Sequence, residues 1–235
     1  MLYQLLLFAA LQNAPPAPDA DVIVERMMRA DDIRRAALAG YTGMRRYRVE
    51  NRRFNKRAEV TVRVSCQQAG AKTFEVVEES GSGFIRRRVI RKMLDAEREA
   101  STKGEREETR ITPRNYDFVL VGTDITDGRS SYVLDIVPKT ANRFLVRGRI
   151  WVDADEYAIT RIEGSPAKNP SFWTSKIQVV HRYEKVGTFW LPVLNQSRAE
   201  VRIFGPTEVT IEYFDYATKE EPAQAEKYAA VEASR

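Results

Sequence analysis

Apolar and polar residues alternate along most of this chain with the two-residue period of half-buried β-strands. The clearest alternation lies between Arg143 and Pro192. One face of its first strand carries Phe144, Val146, Gly148, Ile150 and Val152. Polar positions fall between them, so the pattern predicts an antiparallel strand with one face on a core and one in solvent.

The apolar period changes to steps of three and four in two places, which predicts two amphipathic helices. The first covers residues 21–38, with a stripe formed by Ile23, Met27, Ala30, Ile33 and Ala37. Asp19 or Asp21 is expected to cap it and Gly40 to end it. The second covers residues 84–103, with a stripe formed by Ile85, Val89, Ile90, Met93 and Leu94.

The remaining periodic segments predict hairpins joined by polar turns. They are residues 41–53, 56–69, 72–79, 115–123, 129–137, three strands within 143–192, then 195–204 and 207–216. Residues 164–173 are expected to be irregular, because Pro166 and Pro170 each remove a backbone donor. The predicted fold class is α+β, mainly β: about ten strands in one strongly curved antiparallel sheet, a half-open β-barrel with helices covering its concave face.

The domain organisation predicted from composition has three parts. Residues 1–20 form a signal peptide and Pro-rich spacer, because the apolar run from Leu2 to Leu11 is too short to span a bilayer. Residues 21–217 form one domain, and residues 218–235 a polar tail. No basic residue precedes Arg26. Because a basic n-region is missing, either the true start lies elsewhere or the cleavage signal is atypical, and from the apolar run we expect an exported protein that is soluble in the periplasm after signal-peptide cleavage.

The net charge of +5 and the pI of about 9.3 favour acidic partners such as anionic lipid. Many arginines occupy strand positions expected to face solvent, namely Arg45, Arg46, Arg48, Arg52 and Arg53. Nucleic acid is not expected as a partner, because export would remove the protein from the cytoplasm.

The residues that most catalytic and metal sites need are scarce. The chain has one histidine, His181, and one cysteine, Cys66, and both lie within predicted strands. They predict a structural or cavity-lining histidine and a small buried thiol rather than a nucleophile. The acidic turn of Asp153, Asp155 and Glu156 lacks EF-hand spacing, although weak calcium binding stays open. We predict no enzyme, no catalytic residues, no metal and no cofactor; a carboxylate pair that meets only in space stays open.

Two runs in the central stretch resemble a known family. They are GRIWVDADEYAITRIEGSPAKNPSFW, at residues 148–173, and YEKVGTFWLP, at residues 183–192. Both resemble the C-terminal half of outer-membrane lipoprotein-sorting proteins of the LolA/LolB-like superfamily, and the resemblance covers roughly residues 20–216. It implies a periplasmic half-barrel whose interior accepts acyl chains, with helices over its mouth.

The inner face of this sheet is therefore predicted to bind lipid acyl chains or lipoproteins. The expected lining residues are Val62, Val64, Ile85, Val89, Met93, Leu134, Ile136, Val146, Ile150, Val201 and Ile211. The residues expected to contact a partner or membrane are Arg86, Arg87, Arg88, Arg91, Phe172 and Trp173. Plain core packing of the second helix, and aromatic burial of the loop at residues 172–173, stay open as alternatives.

Two functional hypotheses follow. The first is a monomeric, non-enzymatic periplasmic carrier of acyl chains or lipoproteins in outer-membrane lipoprotein sorting. The second is a periplasmic sensor or protein-interaction module that presents the same half-barrel to an inner- or outer-membrane protein, as the sigma-factor regulators of this superfamily do.

Overall fold

A single antiparallel sheet of ten strands forms the frame of the computed structural model, which describes residues 18–67, 71–100, 108–126, 128–169 and 174–221. The spatial order of its strands is β3-β2-β1-β10-β9-β8-β7-β6-β5-β4. The two end strands do not pair with each other, so the sheet stays open. The fold class predicted from the alternation is confirmed.

The helices and strands have the following bounds. They are α1 (Ala20–Ala37), β1 (Leu38–Asn51), β2 (Lys56–Gln67), β3 (Lys72–Gly81), α2 (Gly83–Ile85), a π-helical turn (Arg86–Ile90), α3 (Arg91–Ala100), β4 (Tyr116–Thr126), β5 (Arg129–Pro138), β6 (Val146–Asp153), β7 (Ile159–Pro166), β8 (Thr174–Val186), β9 (Phe189–Val201) and β10 (Gly205–Glu220). The run from α2 through the π-helical turn to α3 is called the second helical segment below.

Both helical regions pack on the same face of the sheet. The strand registers align one row of side chains across that face: Leu134, Ile150, Ile162, His181, Asn195, Ile211, Tyr47 and Val60. The first three residues are apolar and lie beneath α1. His181 and Asn195, in the middle of the row, are polar. The last three lie beneath the second helical segment and are apolar except for the hydroxyl group of Tyr47. The concave face therefore holds two separate cores with a polar strip between them.

The first core lies between α1 and strands β4 to β7. Ile23, Val24 and Met27 of the helix pack with Leu134 and Ile150 of the sheet, and none of these residues is more than 3% exposed. The apolar stripe predicted for α1 is confirmed with one change. Buried Arg34 replaces the predicted Ile33, which is only partly buried.

The second core lies between the second helical segment and strands β1, β2 and β10. Ile85, Ile90 and Leu94 pack against alternate valines of β2, which are Val60, Val62 and Val64. Ser82 caps the start of the segment by accepting a hydrogen bond from the backbone N–H of Ile85. The apolar stripe predicted for this helix packs in a core, which is the plain core packing that the sequence left open.

Three details of the predicted elements are wrong. Gly40 does not end α1 but lies within β1, where an added Cβ would stand 2.6 Å from the carbonyl oxygen of Cys66. The predicted irregular segment begins later than residue 164, because Gly164–Pro166 still pairs with β6 as part of β7. Strand β10 continues to Glu220, beyond the predicted end of the last strand.

Arg45 does not face solvent as expected, because its strand position points to the inner face and leaves it 3% exposed. Its guanidinium donates to both carboxylate oxygens of Glu97 on α3, each at 2.7 Å. Lys72 and Tyr47 also donate to this carboxylate, at 2.7 and 3.3 Å. The Arg45 guanidinium also lies over the ring of Tyr213, 4.9 Å from its centroid. The Glu97 carboxylate on α3 thus accepts hydrogen bonds from three residues of the sheet.

The opposite charges in this cluster shift each other's pKa values. Burial by itself would raise the pKa of Glu97, but the charges of Arg45 and Lys72 outweigh it and hold this pKa below its ordinary value of 4.5. Burial would likewise lower the pKa of Arg45, and the Glu97 carboxylate reverses that shift. Both groups are therefore ionised at neutral pH, and each depends on the other.

The substitution Glu97→Ala should lower the free energy of unfolding by about 3–5 kcal/mol, because it leaves the Arg45 charge buried without its partner. Denaturant unfolding monitored by circular dichroism measures this loss. The matched control is Glu75→Ala, which removes an exposed partner of Arg63 and should cost no more than about 1 kcal/mol. Equal losses in the two variants would contradict a buried ion cluster.

The same cluster predicts a pH dependence. Because the pKa of Glu97 is lower in the folded state than in the unfolded chain, its contribution to stability is complete above about pH 4.5. It is lost as the pH falls through the lowered pKa. The stability of the Glu97→Ala variant should therefore fall less steeply than that of the wild type between neutral and acid pH.

Candidate functional site

A cavity of about 450 Å³ lies between α1 and the inner face of strands β6 to β9. Its volume falls within the range of small-molecule binding sites. The apolar side chains that line it include Met27 and Met28 of α1, Val146 of β6, Ile159 and Ile162 of β7, and Phe189 and Leu191 of β9. Ile111, Tyr116 and Phe144 complete this apolar wall.

Two neighbouring methionines of α1 lie beside the cavity in different environments. Met27 is buried in the first core, whereas Met28, one position further round the helix, is only partly buried and lines the cavity. Methionine has a flexible, polarisable side chain that adapts to ligands of irregular shape. The α1 side of the cavity can therefore change shape when a ligand enters.

Two titratable residues of β8, His181 and Tyr183, line the cavity where the inner row of the sheet turns polar. Burial lowers the pKa of His181 below 6.5 and raises the pKa of Tyr183 above 10.0. Both side chains are therefore uncharged at neutral pH. They offer hydrogen-bonding groups to a ligand without placing a charge in the apolar wall.

Charged residues of α1 and of the segment before β4 complete the lining. Arg34 donates to the backbone carbonyls of Glu156 and Tyr157, at 2.9 and 3.3 Å. Arg110 donates to the carboxylates of Asp31 and Asp32, both at 2.7 Å. These contacts join α1 to the loops around it and place guanidinium groups next to apolar surface. The lining as a whole is amphipathic.

The carboxylates of the acidic turn after β6 accept hydrogen bonds that hold the turn and its neighbours in place. Asp153 is fully buried and accepts hydrogen bonds from Arg129 and from the backbone N–H groups of Asp155 and Glu156. Burial would raise the pKa of Asp153, but these donors hold it below its ordinary value. Glu156 accepts from Trp190 at 2.8 Å. The described residues contain no group of three His, Cys, Asp or Glu that could hold a metal ion.

The residues predicted to line a lipid cavity divide among several environments. Val146 lines the cavity. Leu134, Ile136 and Ile150 belong to the core beneath α1. The second core contains Val62, Val64, Ile85 and Ile211, with Val89 and Met93 packed against it. Val201 is partly exposed at the end of β9. A role in lipid binding stays a prediction for all eleven, of which only Val146 lines the cavity.

The predicted contact residues also divide. Arg86 and Arg91 both pair with Glu79, at 3.1 and 3.6 Å, whereas Arg87 and Arg88 are exposed. Phe172 and Trp173 lie outside the described residues. Partner or membrane contact through this set stays a prediction.

The sequence pattern did not identify most of the residues that line the cavity. The stripe of α1 indicated Met27 but not Met28, and the residues of β9 were hidden in a run without clear alternation. His181 was the one residue in the sequence that indicated the cavity, because a single polar residue on the inner face of a strand indicates that the apolar core is interrupted there.

Comparisons with known proteins found similarity at the level of fold. No family model and no curated protein matches the chain. A putative outer membrane lipoprotein-sorting protein domain from Vibrio parahaemolyticus aligns with a TM-score of 0.45 and 9% identity, covering 86% of this chain and 94% of that one. A DUF1329 family protein from Desulfovibrio piger aligns with a TM-score of 0.44 and 13% identity over the same shares.

A LolA superfamily protein from Nitrosomonas europaea aligns with a TM-score of 0.36 and 14% identity, over 88% of this chain and 97% of that one. At such identities and TM-scores the likeness does not extend to a binding activity. No helix in the described part of this chain is long and apolar enough to cross a membrane.

His181 should titrate below pH 6.5 in the folded protein, because burial disfavours the imidazolium. It is the one histidine of the chain, so its ring protons give a single set of NMR resonances that can be followed against pH. The same residue in urea should titrate near pH 6.5. A folded-state midpoint at or above that value would contradict the buried position.

Proposed function

We propose that this protein is a non-enzymatic periplasmic binder of lipid acyl chains, free or attached to lipoproteins. The observation that supports it is the cavity beneath α1, which combines an apolar wall of methionine, isoleucine and phenylalanine with uncharged polar groups and an arginine-containing rim. An acyl chain joined to a polar headgroup has the same division into apolar and polar parts. Outer-membrane lipoprotein sorting is the process we propose for it.

The size of the cavity suits part of an acyl chain. Each methylene transferred from water to an apolar site contributes about 0.8 kcal/mol. A segment of about ten methylenes would gain roughly 8 kcal/mol, from which the cost of ordering the chain is subtracted. The remaining affinity suits a protein that has to release its ligand as well as bind it.

Two features support binding rather than catalysis. The carboxylates of Asp31 and Asp32 beside the cavity are already held by hydrogen bonds from Arg110. Cys66, predicted to be a small buried thiol, is only partly buried on β2, and it does not line this cavity. The polar groups there are suited to orienting a headgroup.

The substitution Met28→Trp should weaken acyl-chain binding roughly tenfold, because a larger ring would occupy the cavity from the side of α1. Displacement of a fluorescent fatty acid from the purified protein measures the affinity. Val22→Trp is the matched control, since Val22 is 38% exposed on the same helix and does not line the cavity. Equal affinities of the two variants would refute this cavity as the binding site.

Native mass spectrometry of protein purified from the periplasm without detergent tests the ligand class. A bound mass in the acyl-lipid range, removed by organic extraction and reduced in Met28→Trp, would support the proposal. A protein that remains ligand-free after incubation with lipids, and that recovers one stoichiometric membrane protein in a pull-down, would replace it with the protein-interaction module.

A further inference from the structure

Two hairpin turns meet at one end of the sheet. The β1–β2 turn is formed by Arg52, Arg53, Phe54 and Asn55, and the β9–β10 turn by Arg202, Ile203 and Phe204. They are neighbours because the end of β1 pairs with the start of β10, with Asn51 opposite Thr207. These seven turn residues are called the hairpin tip below.

The hairpin tip exposes three large apolar side chains next to one another. Phe54 is 48% exposed, Ile203 66% and Phe204 44%. The rings of Phe54 and Phe204 touch edge to face, with their centroids 6.0 Å apart, although they lie 150 positions apart in the chain. Single exposed apolar residues are common on protein surfaces, but a contiguous group of them marks an interaction site.

Hydrogen bonds hold the two turns together. The side-chain amide of Asn51 donates to the carbonyl of Phe204 at 2.9 Å, and its oxygen accepts from the backbone N–H of Phe54 at 3.0 Å. Arg53 donates to the carbonyl of Ile203 at 3.0 Å. Asn51 itself is only 7% exposed, so the link is sheltered from water. The apolar groups are therefore presented on an ordered surface.

Ile203 is the residue whose presence is hardest to explain by folding alone. Its φ of +73° lies in the left-handed region, where a β-branched side chain is strained and glycine or asparagine is favoured. The side chain gains little from burial in return, since two thirds of it is exposed. Strain of this kind is retained where function requires the side chain.

The surroundings of the hairpin tip are basic. Residues 52–57 and 201–206 contain five lysines and arginines and no carboxylate. Arg52 pairs with Glu208 at the edge of this surface, at 3.6 Å. The guanidinium of Arg53 lies over the ring of Phe54, 5.6 Å from its centroid. The Arg53 cation therefore lies directly beside the apolar group.

We infer that the hairpin tip docks this protein on an anionic lipid bilayer, with Phe54, Ile203 and Phe204 entering the interface and the surrounding cations contacting the headgroups. A bilayer satisfies both parts at once, because its hydrocarbon and its anionic headgroups lie at adjoining depths. The apolar side chains project from the end of two turns, which suits insertion. Docking here is independent of the cavity under α1, so it goes beyond the proposed ligand binding.

The test is co-sedimentation of the chain, isolated from a periplasmic extract, with vesicles of phosphatidylcholine alone or mixed with phosphatidylglycerol. Intact mass confirms that every variant carries the same N-terminus. The wild type should bind the anionic vesicles and release them as the salt concentration rises. The triple substitution Phe54→Ser, Ile203→Asn and Phe204→Ser should weaken this binding roughly tenfold or more.

Two matched controls separate the hairpin tip from other surfaces. Val119→Thr with Val121→Thr and Ile125→Thr removes three exposed apolar side chains of the edge strand β4 and should leave binding within about twofold of the wild type. Arg87→Gln with Arg88→Gln and Lys92→Gln removes cations from the second helical segment. If this helix variant lost binding while the hairpin-tip variant kept it, the inference would be overturned.

The single substitution Ile203→Asn tests whether vesicle binding can be lost while the protein stays folded. Asparagine tolerates the left-handed backbone conformation, so the melting temperature should be unchanged or higher while vesicle binding falls. Wild-type protein that binds neither vesicle would overturn the inference, as would selective capture of an acidic protein through the hairpin tip. The Met28→Trp variant should bind vesicles normally, so a failure of the cavity proposal leaves this test intact.

Discussion

The structure depends on one constraint: an open ten-stranded sheet has a single apolar face, and that face has to be covered. Strands β3 and β4 follow each other in the chain yet form opposite edges of the sheet. The connection between them carries the second helical segment onto the concave face, next to the region that α1 covers. Two helical regions cover the two ends of the inner row and leave its middle open.

The buried cluster around Glu97 shows how the second cover is held. Apolar contacts alone would let the second helical segment slide along β2, because valines repeat at every second position there. The contact of one Arg45 guanidinium nitrogen with both carboxylate oxygens of Glu97 gives the helix one defined position. A buried ion pair adds modest net stability but penalises any arrangement that leaves its charges unpaired.

The space between α1 and the sheet and the far end of the sheet carry different chemistry. Beneath α1, a cavity with neutral polar groups suits a ligand that is mostly apolar. At the end of β1 and the start of β10, exposed aromatic and aliphatic side chains among arginines suit a surface that is apolar and anionic at once. A protein with both features could receive an acyl chain at the membrane where that chain resides.

Periodicity by itself determined the elements of this fold. A two-residue period produces strands and a period of three to four produces helices, because side-chain direction in each element follows from backbone geometry. The existence of both helices, the ten antiparallel strands and the inward positions of Val62 and Ile150 followed from that local rule. The scarcity of histidine and cysteine was likewise visible without a structure.

Tertiary structure alone decided which inward residues face a core and which face empty space. Ile150 and Ile159 both lie in strands of the same sheet, but only the position of α1 leaves Ile159 beside the cavity. Arg45 resembles its neighbour Arg46 in the sequence, but it shares the inner face of β1 with Tyr47 and Val49, and only the placement of Glu97 on α3 supplies the partner of its buried charge. The meeting of Phe54 with Phe204 required the pairing of β1 with β10, a long-range contact that no local pattern encodes.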